Sequence, residues 1–292
     1  MNVNLAVIAT SGNLHSAAFL EPMRYIAFTL RNLGYSVAMS VNKIEQASIN
    51  VLFGAHSVVE AIPDHSNSLV IVNLEQLVDR QPDEPRVSDS YRRLLRENVV
   101  IDYDRRNLPF YRPRGDATVA DVMIFEFAHA PYLRSEALIP LEDRPIDLLF
   151  FGSVNTTRAA LIRRVEASGV AIRCVTPRNP VYGDEINHLI RQSKAVLNAP
   201  FYASRVFEQV RAFQVLSCGT PMISIGAPDG PRNFRDCIHW VPDLDVERFF
   251  LDDYKSSDWY FESRAQLRRW VHNVPSQSSV GWSQLFESSI LK

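Results

Sequence analysis

The chain is poor in glycine and cysteine and has no long apolar run, and each shortage excludes a class of function. Eleven glycines among 292 residues never form GxGxxG. The first turn after an apolar run, Thr10-Ser11-Gly12-Asn13-Leu14-His15, holds one glycine, and Phe151-Gly152-Ser153 holds another. A dinucleotide site needs several for close backbone approach to the pyrophosphate, so NAD and FAD are disfavoured. GxxxxGK[ST] is absent, which excludes a P-loop, and so is the GxSxG nucleophile elbow. The three cysteines, Cys174, Cys218 and Cys237, are odd in number and have no CxxC spacing. Reduced thiols are expected, not a disulfide scaffold or a zinc site. Asp252-Asp253, the only Asp-Asp pair, reads as wetted surface rather than a metal site. The net charge of −2 and pI of 6.4 give no basic excess, which argues against nucleic acid as a partner. Residues 5–10 are too short a run for a leader or a membrane span, so a cytoplasmic location is expected.

What the chain does have is alternation. Hydrophobic residues make up 46% and charged residues 22%, an ordinary globular mixture. Short apolar runs predict strands over 3–9, 36–40, 49–53, 69–73, 98–102 and 118–125, with helices over 17–33 and 88–96. Periodicity lapses over 129–145, where Pro131, Pro140 and Pro145 lie. It then restarts, with strands over 148–151, 171–175, 195–198, 222–225 and 239–241. Helices are expected over 156–168, 184–193, 205–217, 246–251, 257–272 and 282–291. The fold class is α/β, with two Rossmann-like domains facing a cleft. Residues 1–130 form the first, 131–146 the connection, and 147–292 the second, closed by the last helices.

Several short motifs occur in order along the chain. The second half carries Phe151-Gly152-Ser153, Arg163-Arg164, Tyr182-Gly183-Asp184-Glu185, Lys194-Ala195-Val196-Leu197-Asn198, and Glu208 with Arg211. The first half carries His15 and Glu21, Phe53-Gly54-Ala55-His56, Asn73-Leu74-Glu75-Gln76-Leu77, and Asp102-Tyr103 with Asn107. In this order they resemble a bacterial group of GT-B glycosyltransferases, over roughly residues 3–225. The resemblance implies a metal-independent enzyme that moves a sugar from a nucleotide-sugar donor to a glycan, lipid-linked or protein acceptor. It implies no resident cofactor, a donor bound by the second half and an acceptor bound by the first. Two other readings stay open: a non-catalytic sugar- or nucleotide-binding module on the same fold, and a nucleotide-sugar epimerase.

Within that resemblance, Glu208 is suited to accept from a ribose diol, because an ionised carboxylate is an acceptor only. Arg211, one helical turn on, is suited to phosphate oxygens, although an ordinary helical ion pair with Glu208 is the plainer account. Many GT-B enzymes have a glutamate where this chain has Gln214, five residues before the glycine of Cys218-Gly219-Thr220-Pro221. Gly152 and Ser153 fit the diphosphate position, with Arg158 close to the following helix start and Asn198 at a strand end. Tyr182 frames the base, or else the segment is a turn with Asp184 as the helix cap. For the acceptor side, His15 is the first choice of base and Asp102 the second, with His56 and His129 behind them. A loop or capping contact is the plain alternative for His15. Glu21 and Glu75 are candidate acceptor-binding residues. Arg105, Arg106, Arg112 and Arg114 form a basic run that suits an anionic acceptor or simply a wetted face.

Overall fold

The computed structural model describes residues 1–9, 14–57, 62, 69–77, 87–112, 122–135, 137, 139–274 and 279–290. The chain divides into two units, Met1–Glu126 with Pro275–Lys292, and Phe127–Val274. The expected connection over 131–146 and the last helix are therefore distributed differently from the sequence reading. Residues from Phe127 onward group with the second unit, and the closing helix groups with the first.

The first unit is a parallel sheet with strands β1 (Asn2–Val7), β2 (Ser36–Val41), β3 (Ile49–Phe53), β4 (Val70–Asn73), β5 (Val99–Asp102) and β6 (Val122–Ile124), in the order β2-β1-β3-β4-β5-β6. β3, β4 and β5 are buried along their whole length, as strands covered on both faces must be. Helix α1 (Leu20–Asn32) buries Met23, Ile26, Ala27 and Leu30, the spacing of one helical face. Helix α2 (Asp89–Glu97) starts at Ser88, whose hydroxyl accepts from Tyr91 N. Tyr91 and Leu95 from α2 pack with Leu52, Ile71 and Val100 in one core.

The second unit repeats the scheme. Its strands β7 (Ile146–Phe151), β8 (Ile172–Val175), β9 (Ser193–Asn198), β10 (Met222–Ile225) and β11 (His239–Val241) lie parallel in the order β11-β10-β9-β7-β8. Helices α3 (Thr156–Ala167), α4 (Gly183–Arg191), α5 (Gln209–Ser217), α6 (Arg232–Arg235), α7 (Val246–Arg248) and α8 (Ser257–Trp270) connect and cover them. The core joins Leu148, Phe150, Val165, Leu197, Ile223, Val246 and Trp259. Arg144 is buried just before β7, and its Nη1 donates to Ser193 O and Thr220 Oγ1, both at 2.9 Å. Its Nη2 donates to Gly219 O, which fastens the segment before β7 to the second sheet. Helix α9 (Ser279–Ile290) belongs to the first unit, where Trp282 meets Phe125 edge-on at 5.8 Å and Phe286 meets Tyr35 at 5.5 Å.

One boundary matters for function. The sequence predicts a helix from 205, yet α5 starts at Gln209. Arg205 has φ +51, and Phe207 N donates to Asp229 Oδ2 at 3.2 Å, so 205–208 stay outside the helix. Glu208 therefore occupies the N-cap position of α5.

His239 on β11 stacks on Trp259 at 5.5 Å and shares a 2.8 Å hydrogen bond with Ser263 Oγ. Burial pushes its imidazole down to about 4, with Arg269 acting the same way and Glu262 opposing. In that window the unfolded chain binds the proton more readily, so the neutral ring stabilises the fold above about 6.5, and this contribution fades toward about pH 4. Urea midpoints compared between wild type and His239→Gln should converge as pH falls through that interval. Parallel curves would assign the acid loss to other groups.

Candidate functional site

In the second sheet β7 has β8 on one side and β9 on the other. The chain leaves β7 for β8 and then crosses back to β9, so the sheet order reverses between β7 and β9. The carboxyl ends of strands at such a reversal splay apart and leave the usual ligand position of an open α/β sheet. Gly152 and Ser153 follow β7 there, and Asn198 ends β9.

Two arginines and a carboxylate meet at this point. Arg158 Nη2 donates to Glu208 Oε1 at 2.5 Å, and Arg211 Nη1 lies 2.6 Å from Glu208 Oε2. Arg158 is 3% exposed and is further held by Ala199 O at 2.8 Å and Ser153 O at 2.8 Å. Its guanidinium lies 5.0 Å from the Phe201 ring centroid and 5.6 Å from that of Phe150. Burial pushes Arg158 down to about 10, opposed by Glu208, so it is charged at neutral pH. Arg211 Nη1 also donates to Asn198 Oδ1 at 2.6 Å, and Asn198 Nδ2 donates to Ser224 Oγ at 3.0 Å. The Arg211 Nε is buried without a hydrogen-bond partner. Two guanidiniums against one carboxylate leave one net positive charge, fixed at the carboxyl edge of the sheet. Gly152 makes room for it. Its φ is +133, and a Cβ there would sit 2.9 Å from Arg211 Nη2.

The first unit has a buried polar hub at the end of β5. Asp102 is fully buried, and its Oδ2 accepts from Asn73 Nδ2 at 2.8 Å and Tyr111 OH at 2.9 Å. Its Oδ1 accepts from Asn107 Nδ2 and Asp104 N, both at 2.9 Å. Burial pushes the Asp102 carboxyl up to about 6, while these four donors pull it down. The hub governs the turn after β4. Asn73 Nδ2 and Asn107 Nδ2 both donate to Glu75 O, each at 3.1 Å, and Leu77 N donates to Asn107 Oδ1 at 2.8 Å.

The same architecture occurs in known structures at low sequence identity. AviGT4, a glycosyltransferase involved in avilamycin A biosynthesis, is 13% identical, with 99% of this chain and 98% of that one covered at a TM-score of 0.57. The DNA-modifying enzyme β-glucosyltransferase is 10% identical, with both chains fully covered at a TM-score of 0.50. TarM is 12% identical over 85% of this chain at a TM-score of 0.51, and the match spans about half of TarM, 53% of its length. The chain has the GT-B fold. No family model matches it, and no curated protein matches it by sequence.

On this GT-B frame the second unit brings together Gly152, Ser153, Arg158, Asn198, Glu208 and Arg211. It does not include Gln214, which is buried and donates from Nε2 to Asn187 Oδ1 at 2.8 Å, holding α5 against α4. An amide committed there is not available to a ribose. The Gly152 N–H is also committed, donating to Val175 O at 3.0 Å, so the glycine contributes space rather than an amide. Tyr182, half-buried, occupies the N-cap position of α4 without a capping hydrogen bond from its side chain, and Asp184 lies within the first turn. In the first unit, the enclosure of Asp102 removes it from contact with an acceptor, and its four donors make it a structural hub. Glu21 is 4% exposed and accepts from Arg24 Nη1 at 2.8 Å, so it too is enclosed. Glu75 is half-exposed, with its Oε1 3.3 Å from His56 Nε2. The side chain of His15 lies outside the described residues. Of the basic run, Arg106 is paired with Asp104 at 2.7 Å, and Arg114 lies outside the described residues.

Asp102→Asn should cost about 1–3 kcal/mol of stability, because its new amide N–H groups would face buried donors and leave them unsatisfied. Chemical denaturation measures this, and an unchanged midpoint would mean the hub rearranges freely. Gly152→Ala should displace Arg211 and strain the backbone. A loss of about 1–3 kcal/mol in the same experiment is the expected result.

Proposed function

We propose that the protein transfers a sugar from a nucleotide-sugar donor to an acceptor, with the donor held by the Phe127–Val274 unit. The observation that carries this is the Arg158–Glu208–Arg211 cluster at the sheet reversal. A nucleotide-sugar reacts by releasing a nucleoside diphosphate, and negative charge grows on its phosphate oxygens as the bond to the sugar breaks. Guanidiniums fixed in advance stabilise that charge without reorganising. The reading is supported by the GT-B fold and by two of the similar structures being named glycosyltransferases. One of these is named with uridine diphosphoglucose as its substrate.

Arg211 makes the direct phosphate contact in this proposal, because its Nε lacks a partner and Gly152 leaves room for its guanidinium at the strand end. Ser153 adds a hydroxyl, Asn198 aims Arg211, and Tyr182 lies toward the base. Arg158 is the buried anchor. Glu208 orients both arginines, and each of its oxygens accepts one guanidinium N–H. One lone pair per oxygen is left for a ribose hydroxyl. The two arginines supply the charge that a divalent cation would otherwise bring.

Calorimetric titration with nucleoside diphosphates tests the reading. Arg211→Ala should lose one to two decades of affinity, since a charged hydrogen bond is worth roughly 1.5–3 kcal/mol. Chelation should leave wild-type affinity unchanged. Glu208→Ala should weaken binding and also lower stability by about 3 kcal/mol, because it strands the buried Arg158 charge. Equal affinity in wild type and Arg211→Ala would sink the assignment. Binding without any sugar transfer or hydrolysis would favour a non-catalytic module on the same fold.

A further inference from the structure

The carboxyl edge of the second sheet carries a second arginine at a strand-end glycine. Gly226 follows β10 as Gly152 follows β7. The two glycines share a backbone shape, with φ +126 and +133. Each donates its N–H to the last residue of the outer strand beside it, Gly226 to Val241 O at 2.8 Å and Gly152 to Val175 O at 3.0 Å. Each also has an arginine beside the place where its Cβ would stand. Arg211 Nη2 would lie 2.9 Å from that of Gly152, and Arg205 Nη1 would lie 3.5 Å from that of Gly226. The same pattern therefore occurs on either side of the central strand β9. One short segment, 205–211, supplies both arginines as it runs into α5.

Arg205 is set firmly in place. Its φ of +51 lies in the region that glycine enters freely and other residues seldom adopt. Its N–H donates to Tyr202 O at 3.1 Å. Two residues on, the buried Phe207 packs against Phe234 at 5.4 Å and Trp240 at 5.3 Å. The Arg205 Nη1 donates to Asp243 Oδ2 at 2.5 Å, and Asp243 stands just past the end of β11. These two side chains are 49% and 42% exposed. An ion pair that open contributes little to stability. The fold alone thus gains little from an arginine in a backbone shape that suits glycine. Among the described residues, Nε and Nη2 of Arg205 and Oδ1 of Asp243 make no other hydrogen bond.

We propose that Arg205 and Asp243 form the donor-sugar subsite and select an uncharged sugar. This rests on the donor-site reading given above. The order along the sheet edge is Tyr182 after β8, Arg211 at β7, β9, and then Arg205 at β10. With the base toward Tyr182 and the diphosphate at Arg211, the remaining end of the donor extends over β9 toward β10. Two strand spacings, about 10 Å, separate the ends of β7 and β10, which is room for a pyranose ring and its far hydroxyls. The pair supplies both halves of hydroxyl recognition, since a guanidinium only donates and a carboxylate only accepts. Its two charges cancel. A neutral sugar meets matching groups there, whereas a sugar carboxylate would be set against Asp243. The Arg158–Glu208–Arg211 cluster keeps a net positive charge, so one edge has an anion-binding end and a hydroxyl-binding end.

Calorimetry on the full chain tests this. Uridine, thymidine, guanosine and adenosine diphosphates are titrated first. The one that binds best is then compared with its glucose, galactose, N-acetylglucosamine and glucuronic acid esters. Wild type should bind at least one neutral ester about tenfold tighter than the glucuronic acid ester. Arg205→Gly suits the backbone at φ +51 and removes the guanidinium. It should lower affinity for that neutral ester by about tenfold or more, the effect of one charged hydrogen bond, and leave the free diphosphate unchanged. Arg211→Ala, by contrast, should weaken the diphosphate itself. Asp243→Asn should narrow the gap between neutral and glucuronic acid esters. Thermal melts identify a variant that fails to fold, and Arg205→Asn, which also tolerates this backbone shape, then replaces Arg205→Gly. Wild-type affinity for the neutral ester in a folded Arg205 variant would overturn the proposal and leave the pair an ordinary surface contact. An equal loss for diphosphate and ester overturns it too, since Arg205 would then be a phosphate ligand. So does a glucuronic acid ester that binds wild type as tightly as the neutral ones, or a gap that Asp243→Asn leaves unchanged. If no nucleoside diphosphate binds wild type, the donor-site reading fails first and takes this one with it.

Discussion

The ion pair between Arg158 and Glu208 is the interaction on which the candidate donor site depends. Arg158 is nearly sealed from solvent, and a guanidinium in that position is tolerable only if its charge and donors are met. Glu208 meets the charge, while Ala199 O and Ser153 O take further N–H groups. The carboxylate is thereby held in one place, and its second oxygen fixes Arg211. A buried cation sets the position of an anion, and the anion sets the position of a second cation that packs against Gly152. Such an arrangement leaves one positive charge in place before any ligand arrives, which is the property electrostatic stabilisation of a leaving diphosphate requires.

The first unit solves a similar problem by different means. Its hub is an anion, Asp102, satisfied by neutral donors from four residues rather than by a counter-ion. Neutral donors hold a carboxylate without adding charge, and the same asparagines fix the turn that bears Glu75.

Much of the fold was legible in the chain itself. Residues 49–53, 222–225 and 239–241 were read as strands and coincide with β3, β10 and β11. Their apolar runs are short, uninterrupted and bounded by turns, which is how strands buried on both faces read. Boundaries failed where a non-local contact overrode local preference. Helix α5 begins four residues later than its periodicity suggests, because Asp229 captures the Phe207 amide from across the loop. The site was partly legible. Gly152, Asn198, Glu208 and Arg211 were picked out by their positions at strand and helix ends. Gln214 was picked out too, but whether an amide turns toward a ligand or toward Asn187 is not written in its spacing. The role of Asp102 was hidden for the same reason, since its exposure is set by Tyr111 and Asn107 folding over it. His56 and Glu75 were each picked out after their strands, but that they meet was not, as the two residues lie in separate turns.

The sequence by itself determined the elements: which stretches are strands, which are helices, and where glycine must turn the chain. These follow from side-chain periodicity and backbone sterics within a few residues. Only the tertiary structure decided the neighbours. Arg158 and Glu208 are separated by 50 positions, and Asn73 and Asp102 by 29, yet each pair is in hydrogen-bond contact. The strand orders that bring them together arise from which parallel crossovers bury the most apolar surface, a property of the whole packed sheet that no local window contains.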